Sequence, residues 1–298
     1  MKKLILASIL VCGSLMAEVM TVLPYVGGID YGKDGSKSIK DKALLVGAYA
    51  SVGTLDYLVE FGYSNINATY KDSTLTNLSQ DDFFLAYSKY YEKFMFKIAT
   101  HHVSTTDTEL GDANVLIASL GGYNWFGYDK LSYGLDGYYS YYSKGHDEGY
   151  TALKPIGIVQ FTPYLSFYKA INFNWGNTLL LKANYQITSD FLKDNYTSFE
   201  ISDTIYYNSL FVTLRAYGGE MKAGVKDGGA TVFNTLDLMK TGYGLKLGYF
   251  LSGGLVATLS YDANVYREYD ENGVTNGTPT ITQDAQNAVA LVSLSYSF

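Results

Sequence analysis

Cysteine is almost absent from this chain of 298 residues. The only one, Cys12, lies in an N-terminal segment that we expect to be removed. A mature chain without cysteine forms no wrong disulfides while it crosses an oxidising compartment, and its stability then rests on noncovalent contacts. Val11 is larger than the small residue expected before a lipid-anchored cysteine, so we favour an ordinary signal peptide over a lipoprotein.

Long apolar runs and proline are also scarce. No segment after the N-terminus approaches the ~20 apolar residues that a membrane-spanning helix needs, and the mean hydropathy is −0.02. The chain has 4 prolines but 30 tyrosines, 30 glycines and 15 phenylalanines, a balance that suits strands, turns and membrane interfaces. A secreted β-sandwich has a similar composition, but about 280 residues of strand signals suit one closed barrel better.

Basic residues are outnumbered by acidic ones, 22 against 29, which gives a formal charge of −7. Removing Lys2 and Lys3 with the N-terminal segment changes that charge to −9. A binding surface for nucleic acid needs clustered positive charge, so no nucleic-acid partner is expected.

The N-terminus has the three parts of a signal peptide. Lys2 and Lys3 are followed by an apolar run over 4–11 and by a small residue, Ala17, at a plausible cleavage point. We therefore expect a cleaved signal peptide at 1–17. No linker or change of composition interrupts 18–298, which predicts a single mature domain.

Alternation of apolar and polar residues runs through the mature chain. In one example Tyr57, Val59 and Phe61 alternate with Leu58 and Glu60, the pattern of a strand with one lipid face and one wet face. About fourteen such segments predict an all-β fold, a transmembrane antiparallel up-and-down β-barrel. Twelve or sixteen strands remain open, because the segments near 24 and 86 alternate poorly. Asp203 falls on a lipid-facing position, which a bulge or an interfacial depth would explain.

Short turns and longer polar loops alternate along the chain, as in barrels with periplasmic turns and extracellular loops. The best candidates for a gate are the loops at 220–235 and 268–285, since both are polar and contain glycine. No loop is long enough to be expected to fill the bore. A barrel of about fourteen strands is therefore expected to keep an aqueous lumen.

Ten charged residues fall on inward-facing positions and are predicted to line the pore. Five of each sign favour weak ion preference, because a sharply selective pore needs a ring of one sign. Tyrosines are also expected to face inward, which makes a specific channel for an apolar or sugar solute an alternative. The charged residues are Asp56, Glu60, Lys97, Asp136, Lys182, Glu200, Arg215, Lys240, Lys246 and Asp262, and the tyrosines are Tyr138, Tyr164 and Tyr206.

The last nine residues, 290–298, place Val292, Leu294, Tyr296 and Phe298 on one face and serines on the other. This segment resembles the closing strand of bacterial outer-membrane barrels, which the barrel-assembly machinery reads as a signal. In length and loops the mature chain is similar to the small monomeric fourteen-stranded porins. The resemblance implies a monomer in contact with outer-membrane lipid and lipopolysaccharide. It also implies passive diffusion of small hydrophilic solutes, with no cofactor, no metal and no enzymatic activity.

A second resemblance rests on His102 and Ser104, which we expect to face outward at the end of the fifth strand. A His-x-Ser at this place is similar to the outer-membrane phospholipase A and lipid A deacylase families. That likeness implies Ser104 as nucleophile, His102 as base and Asn114 as the group that orients the histidine. Asp107, Glu109 and Asp112 would then hold Ca²⁺. Those families have Asn after the serine, where this chain has Thr105, and we retain lipid hydrolysis as the alternative function.

Overall fold

A computed structural model of the chain describes residues 19–32, 38–106, 110–144, 155–188, 193–233, 237–275 and 278–298, with the backbone alone over 268–275 and 278–283. The predicted signal peptide at 1–17 lies outside the described residues. Within the described part, no helix is long and apolar enough to cross a bilayer. The long strands are β1 Val19–Asp30, β2 Lys40–Gly53, β3 Tyr57–Tyr70, β4 Leu78–Tyr90, β5 Phe94–Thr105, β6 Ala113–Phe126, β7 Asp129–Tyr142, β8 Ile156–Asn172, β9 Trp175–Thr188, β10 Asn195–Tyr207 and β11 Leu210–Lys222. After the short β12 Val225–Lys226, a 3-10 turn Asp227–Gly229 and the short β13 Thr231–Val232 come β14 Leu238–Phe250, β15 Leu255–Thr275 and β16 Thr278–Ser297.

The long strands form one closed ring. Each pairs antiparallel with its neighbours in the chain, β11 pairs with β14, and β16 pairs with β1. Two backbone hydrogen bonds complete the seam, from Met20 N to Phe298 O at 2.9 Å and from Phe298 N to Met20 O at 3.0 Å. The predicted antiparallel barrel is confirmed, with fourteen strands in its wall rather than twelve or sixteen.

Apolar side chains cover the outside of the wall. Along β16 the outward Val292, Leu294, Tyr296 and Phe298 are all exposed, while Ser293 between them is buried inside. Aromatic side chains such as Tyr128 and Phe173 lie exposed at the turns, where a membrane barrel carries its aromatic girdle. This surface is suited to lipid.

Asp203 is the carboxylate on the outward face of β10. The pairing of β10 with β9 and β11 is continuous around it, so no bulge turns it inward. It accepts a hydrogen bond from the side chain of Asn177 and lies near the turn at 208–209. An interfacial depth with a polar partner therefore explains its position.

The two ends of the barrel differ. At one end, the short-turn end, the strands are joined by tight turns, and both Val19 and Phe298 lie there. At the opposite, long-loop end, most connections are longer. The prediction of a loop over 268–285 is wrong, because β15 runs to Thr275 and β16 begins at Thr278. The polar composition suggested a loop, but threonines at 275, 278, 280 and 282 are β-branched and favour a strand.

The inside of the ring is not uniform. In the half nearer the long loops, inward residues of β4 to β10, here called the packed wall, are buried, as Phe84, Val115 and Gln160 show. Inward residues of the other seven strands, here called the open wall, are mostly half-buried, for example Tyr25 and Glu60. Something therefore covers one side of the lumen and leaves the other accessible.

Candidate functional site

The cover is the chain between β11 and β14. Residues 221–233, here called the inserted segment, turn into the lumen instead of away from the barrel. At its tip the carbonyl oxygen of Gly229 lies 2.8 Å from Nδ1 of the buried His101 on β5, six strands around the ring from β11. The inserted segment covers one side of the bore without filling it, and it belongs to 220–235, one of the two loops named above as gate candidates.

Two glutamines of the packed wall hold the inserted segment by its backbone. Gln160 Nε2 donates to Val225 O at 2.7 Å, and Val225 N donates to Gln160 Oε1 at 3.0 Å. Gln186 makes the same pair of bonds with Lys222, both at 3.0 Å. Each side-chain amide thus pairs with one backbone donor and one backbone acceptor of the inserted segment.

Apolar contacts continue the attachment. Ala223, Val225 and Val232 of the inserted segment share one buried cluster with wall residues that include Val103 and Ile158. Tyr142, fully buried in this cluster, donates its hydroxyl to Ala223 O at 2.9 Å. The contact surface of the inserted segment is therefore a small hydrophobic core inside the barrel.

The tip depends on glycine. Gly228 and Gly229 have φ values of 63° and 99°, a region in which side chains are strained. A Cβ on Gly229 would lie 2.3 Å from Cδ1 of Ile117. Only glycine allows the tip to approach the opposite wall this closely.

Ion pairs line the lumen beside the tip. Lys97 Nζ lies 3.0 Å from Glu60, which also accepts a hydrogen bond from the Tyr49 hydroxyl at 2.7 Å. Arg215 makes a bidentate pair with Asp262 at 2.7 and 2.5 Å. Charges of opposite sign thus neutralise each other along the wall.

A second charged group surrounds Glu200. Its carboxylate lies 3.5 Å from Lys182 and 3.7 Å from Lys226 of the inserted segment. Lys226 also lies over the ring of Tyr217, 3.9 Å from the ring centroid. The sequence placed Lys182 and Glu200 inside but did not place Lys226 there, since the pattern of 221–233 itself is that of an external loop.

Asp227 is the carboxylate of the tip and is exposed inside the barrel. Desolvation inside the barrel acts to raise its pKa, but Lys182, Arg215 and Lys226 act the other way, and the net effect holds the pKa below its ordinary value. Thr231 Oγ1 donates to its carboxylate at 3.0 Å. The side chain is therefore an anion that the surrounding cations stabilise.

The remaining four predicted pore residues lie in different settings. Asp136 faces inward and accepts from the Tyr138 hydroxyl at 3.2 Å, whereas Asp56 is exposed in the turn before β3. Lys246 is exposed inside the barrel, near the Phe211 ring. Lys240 departs from the predicted inward row, because a bulge between Met239 and Thr241 in the pairing with β15 leaves its ammonium 3.1 Å from the exposed Asp284.

The candidate catalytic residues lie on the outer surface. His102 and Asn114 are directly paired across β5 and β6, and His102 Nδ1 lies 2.9 Å from Asn114 Oδ1. Ser104 is exposed one position further along the same face, but no hydrogen bond among the described residues joins its hydroxyl to His102. The structure thus brings together the proposed base and its orienting amide.

The lipid-hydrolysis alternative also implies three calcium ligands. Asp107 and Glu109 lie outside the described residues, and Asp112 accepts a hydrogen bond from Thr105 N at 2.9 Å. The described residues contain no cluster of three acidic, histidine or cysteine side chains that could hold a metal ion.

Comparison with known proteins points to one architecture. Neither the protein-family models nor the curated proteins give a match. Among solved structures the chain resembles CymD, a monoaromatic hydrocarbon channel, with a TM-score of 0.54 and 7% identity over 96% of this chain and 90% of CymD. The Pseudomonas putida toluene transporter TodX gives 0.47 and 11% over 93% of this chain and 88% of TodX. The NanC porin gives 0.46 and 11% over 92% of this chain and 98% of NanC. At 7% identity the likeness to CymD shows the fold alone, which is that of a closed antiparallel β-barrel.

Proposed function

We propose that this protein is a channel of the bacterial outer membrane through which small hydrophilic solutes diffuse passively. The observation that carries the proposal is the unequal lumen, in which the inserted segment covers the packed wall and leaves the open wall accessible. Around eight strands fill a barrel with side chains, whereas 16–18 leave an aqueous channel. Fourteen strands with an inserted segment give an intermediate, narrowed path.

The orientation and setting follow from the same features. We infer that the short-turn end faces the periplasm and that the long loops face the cell exterior. The apolar outer face would contact lipid and lipopolysaccharide. The outward row of β16 would be the signal for the barrel-assembly machinery, and a single closed ring needs no second copy.

Weak ion preference is part of the proposal. Its support is that the charges of the lumen occur largely as pairs, such as Glu60 with Lys97 and Arg215 with Asp262. A path lined by neutralised pairs favours neither sign strongly.

Single-channel current of the refolded mature protein in a planar bilayer tests the channel. We expect discrete steps, since an open lumen conducts ions, and a reversal potential close to zero in a salt gradient. Replacing Lys97, Arg215 and Lys246 by Glu together is expected to shift that potential toward cations. Protein that inserts as a folded barrel and stays silent would contradict the proposal.

Lipid hydrolysis is a second candidate, favoured by the 2.9 Å contact between His102 and Asn114. If it operates, the protein releases fatty acid from phospholipid in mixed micelles with Ca²⁺, and Ser104→Ala abolishes the release. Ser79→Ala, on the outward face of the adjacent β4, is the control that retains it. No release above that of Ser104→Ala would exclude this function and leave the channel unaffected.

A further inference from the structure

A cavity of about 550 Å³ opens at the short-turn end of the lumen, within the range of small-molecule sites. Residues of the turns before β3 and β5 form its rim, and inward residues of β4 to β8 form its walls. It is separate from the inserted segment, which packs in the other half of the barrel. We call it the mouth cavity.

One wall of the mouth cavity is a flat aromatic platform. The side chain of Tyr164 lies against two glycines of the wall: a Cβ on Gly134 would lie 2.5 Å from its Cζ, and a Cβ on Gly121 would lie 2.5 Å from its hydroxyl oxygen. The two glycines therefore leave room for this side chain to lie along the wall beside the cavity. Tyr90 and Tyr123 extend the aromatic surface.

Polar groups converge on the same space. The side chains of Asp56 and Glu92 are exposed at the rim, and no hydrogen bond or ion pair with another described residue engages either carboxylate. Ser132 and Tyr164 add hydroxyls that are likewise unpaired within the described part of the chain. The cavity thus offers acceptors and donors beside an apolar face.

Charge narrows the class of ligand. The ammonium of Lys130 already lies over the rings of Tyr123 and Trp125, 4.5 and 5.4 Å from their centroids, so an incoming cation would be repelled from those faces. An incoming anion would be repelled by the carboxylates of Asp56 and Glu92. A purely apolar solute would desolvate both carboxylates without giving them a hydrogen bond.

The opposite side of the lumen is lined by hydroxyls. β16 lies seven strands around the ring from β7, directly across from Lys130 and Ser132. Its inward residues toward the short-turn end are Ser293, Ser295 and Ser297. The mouth cavity therefore faces, across the lumen, a wall lined by neutral hydroxyls.

We propose that the mouth cavity binds a neutral pyranose sugar. A pyranose has one face of C–H groups, which stacks on Tyr164, and a rim of hydroxyls, which donate to Asp56 and Glu92. This inference rests on the proposed channel, for which it names the solute class.

Two readouts test the site with D-glucose as the probe. In a Trp175→Phe background the only tryptophan left is Trp125, which lines the cavity, so its fluorescence in detergent micelles reports binding without conduction. We expect saturable quenching by glucose and saturable block of single-channel current. Sorbitol has hydroxyls but no ring face and is expected to give neither.

Variants identify the platform. Tyr164→Leu is expected to raise the half-saturating glucose concentration about tenfold, the order of a lost stacking contact. Asp56→Asn with Glu92→Gln changes only exposed turn residues and is expected to raise it as well. Tyr206→Leu removes an inward tyrosine outside the cavity and is the control without effect.

The outcomes separate the two proposals. Saturable quenching without any current would preserve the sugar site and overturn the channel. Current without saturable quenching or block would preserve the channel and overturn the sugar site. Equal effects of sorbitol, saturation by benzyl alcohol alone, or unchanged affinity in Tyr164→Leu would each overturn the sugar site too.

Discussion

At the scale of single residues, the lumen wall is shaped by glycines that stand opposite large inward side chains. Tyr217 pairs with Gly242 and Arg215 with Gly244 across β11 and β14. In each pair the large side chain lies over the glycine, where a Cβ would collide with it. Big side chains thus lie along the wall rather than across the bore.

Gly244→Ala tests this arrangement. A Cβ there would lie 2.0 Å from Asp262 Oδ1 and 2.7 Å from Arg215 Nε, so the bidentate pair between these two side chains must break. We expect the variant to be less stable by about 1–3 kcal/mol, the cost of leaving partly buried charges unpaired. Loss of the heat-resistant folded band in detergent gels measures it.

Gly218→Ala is the matched control, since a Cβ at Gly218 meets nothing within 4 Å. It is expected to leave stability unchanged or slightly higher. Removing the clashing carboxylate in Gly244→Ala/Asp262→Ala should recover part of the loss. Equal stability of the two alanine variants would disprove the packing argument.

Asp227 gives a residue-scale prediction on pH. Its pKa in the folded protein is depressed, so its contribution is complete above the ordinary value of about 4 and disappears as pH falls through the folded value. We expect the tip of the inserted segment to loosen only in strong acid. Current fluctuations of the open channel between pH 7 and pH 3 measure it.

The open-channel current of Asp227→Asn should fluctuate more than that of wild type at pH 7, and its fluctuations should change less on acidification. Asp72→Asn makes the same chemical change in an exposed loop at 71–77, away from the lumen, and serves as control. If Asp227→Asn and wild type respond equally to acid, other carboxylates hold the tip.

At the scale of elements, the inserted segment depends on two glutamines of the packed wall. Gln160→Leu with Gln186→Leu would remove the four side-chain hydrogen bonds to the backbone of Lys222 and Val225, each worth about 0.5–1.5 kcal/mol. We expect a looser segment, with larger mean conductance and more current noise. Asn287→Leu changes a lumen amide of β16 outside this contact and should leave conductance unaltered.

The strands themselves could be predicted, because alternation of apolar and polar residues follows directly from a wall with lipid outside and water inside. The predicted order, number and short turns agree with the structure. β4 alternated poorly in the sequence for a physical reason. Its inward Phe84 and Ala86 contact a hydrophobic cluster instead of water, so both faces of the strand are apolar.

The inserted segment could not be predicted from its own residues, which are polar and rich in glycine like an external loop. The signal lay in its partners. Val103, Val115 and Ile158 occupy inward positions where a wet lumen favours polar residues. Apolar residues at the inward positions of several adjacent strands indicate that another apolar segment packs inside the barrel.

At the scale of the whole molecule, most lumen charges are paired and Lys246 is the exposed exception among the predicted cations of the described wall. Lys246→Glu is therefore expected to shift the reversal potential toward cations more than Lys97→Glu, whose ammonium is held by Glu60. Bilayer recordings in a tenfold salt gradient measure both.

Lys240→Glu is the control, since it makes the same charge change on the same strand but lies beside Asp284 away from the lumen row. It is expected to leave the reversal potential unaltered. An equal shift in Lys240→Glu and Lys246→Glu would mean that net charge, not position in the bore, sets the preference.

The shared core of inserted segment and packed wall also limits how the channel can respond to stimuli. Withdrawing the segment would expose Val103, Ile117, Val225 and Val232 to water. At roughly 1.5–3 kcal/mol for each fully buried side chain, this exposure costs on the order of 10 kcal/mol. A state that costs so much is populated by on the order of one molecule in ten million. The aperture is therefore fixed at assembly, and a cell that needs a different permeability must regulate how much of the protein it makes.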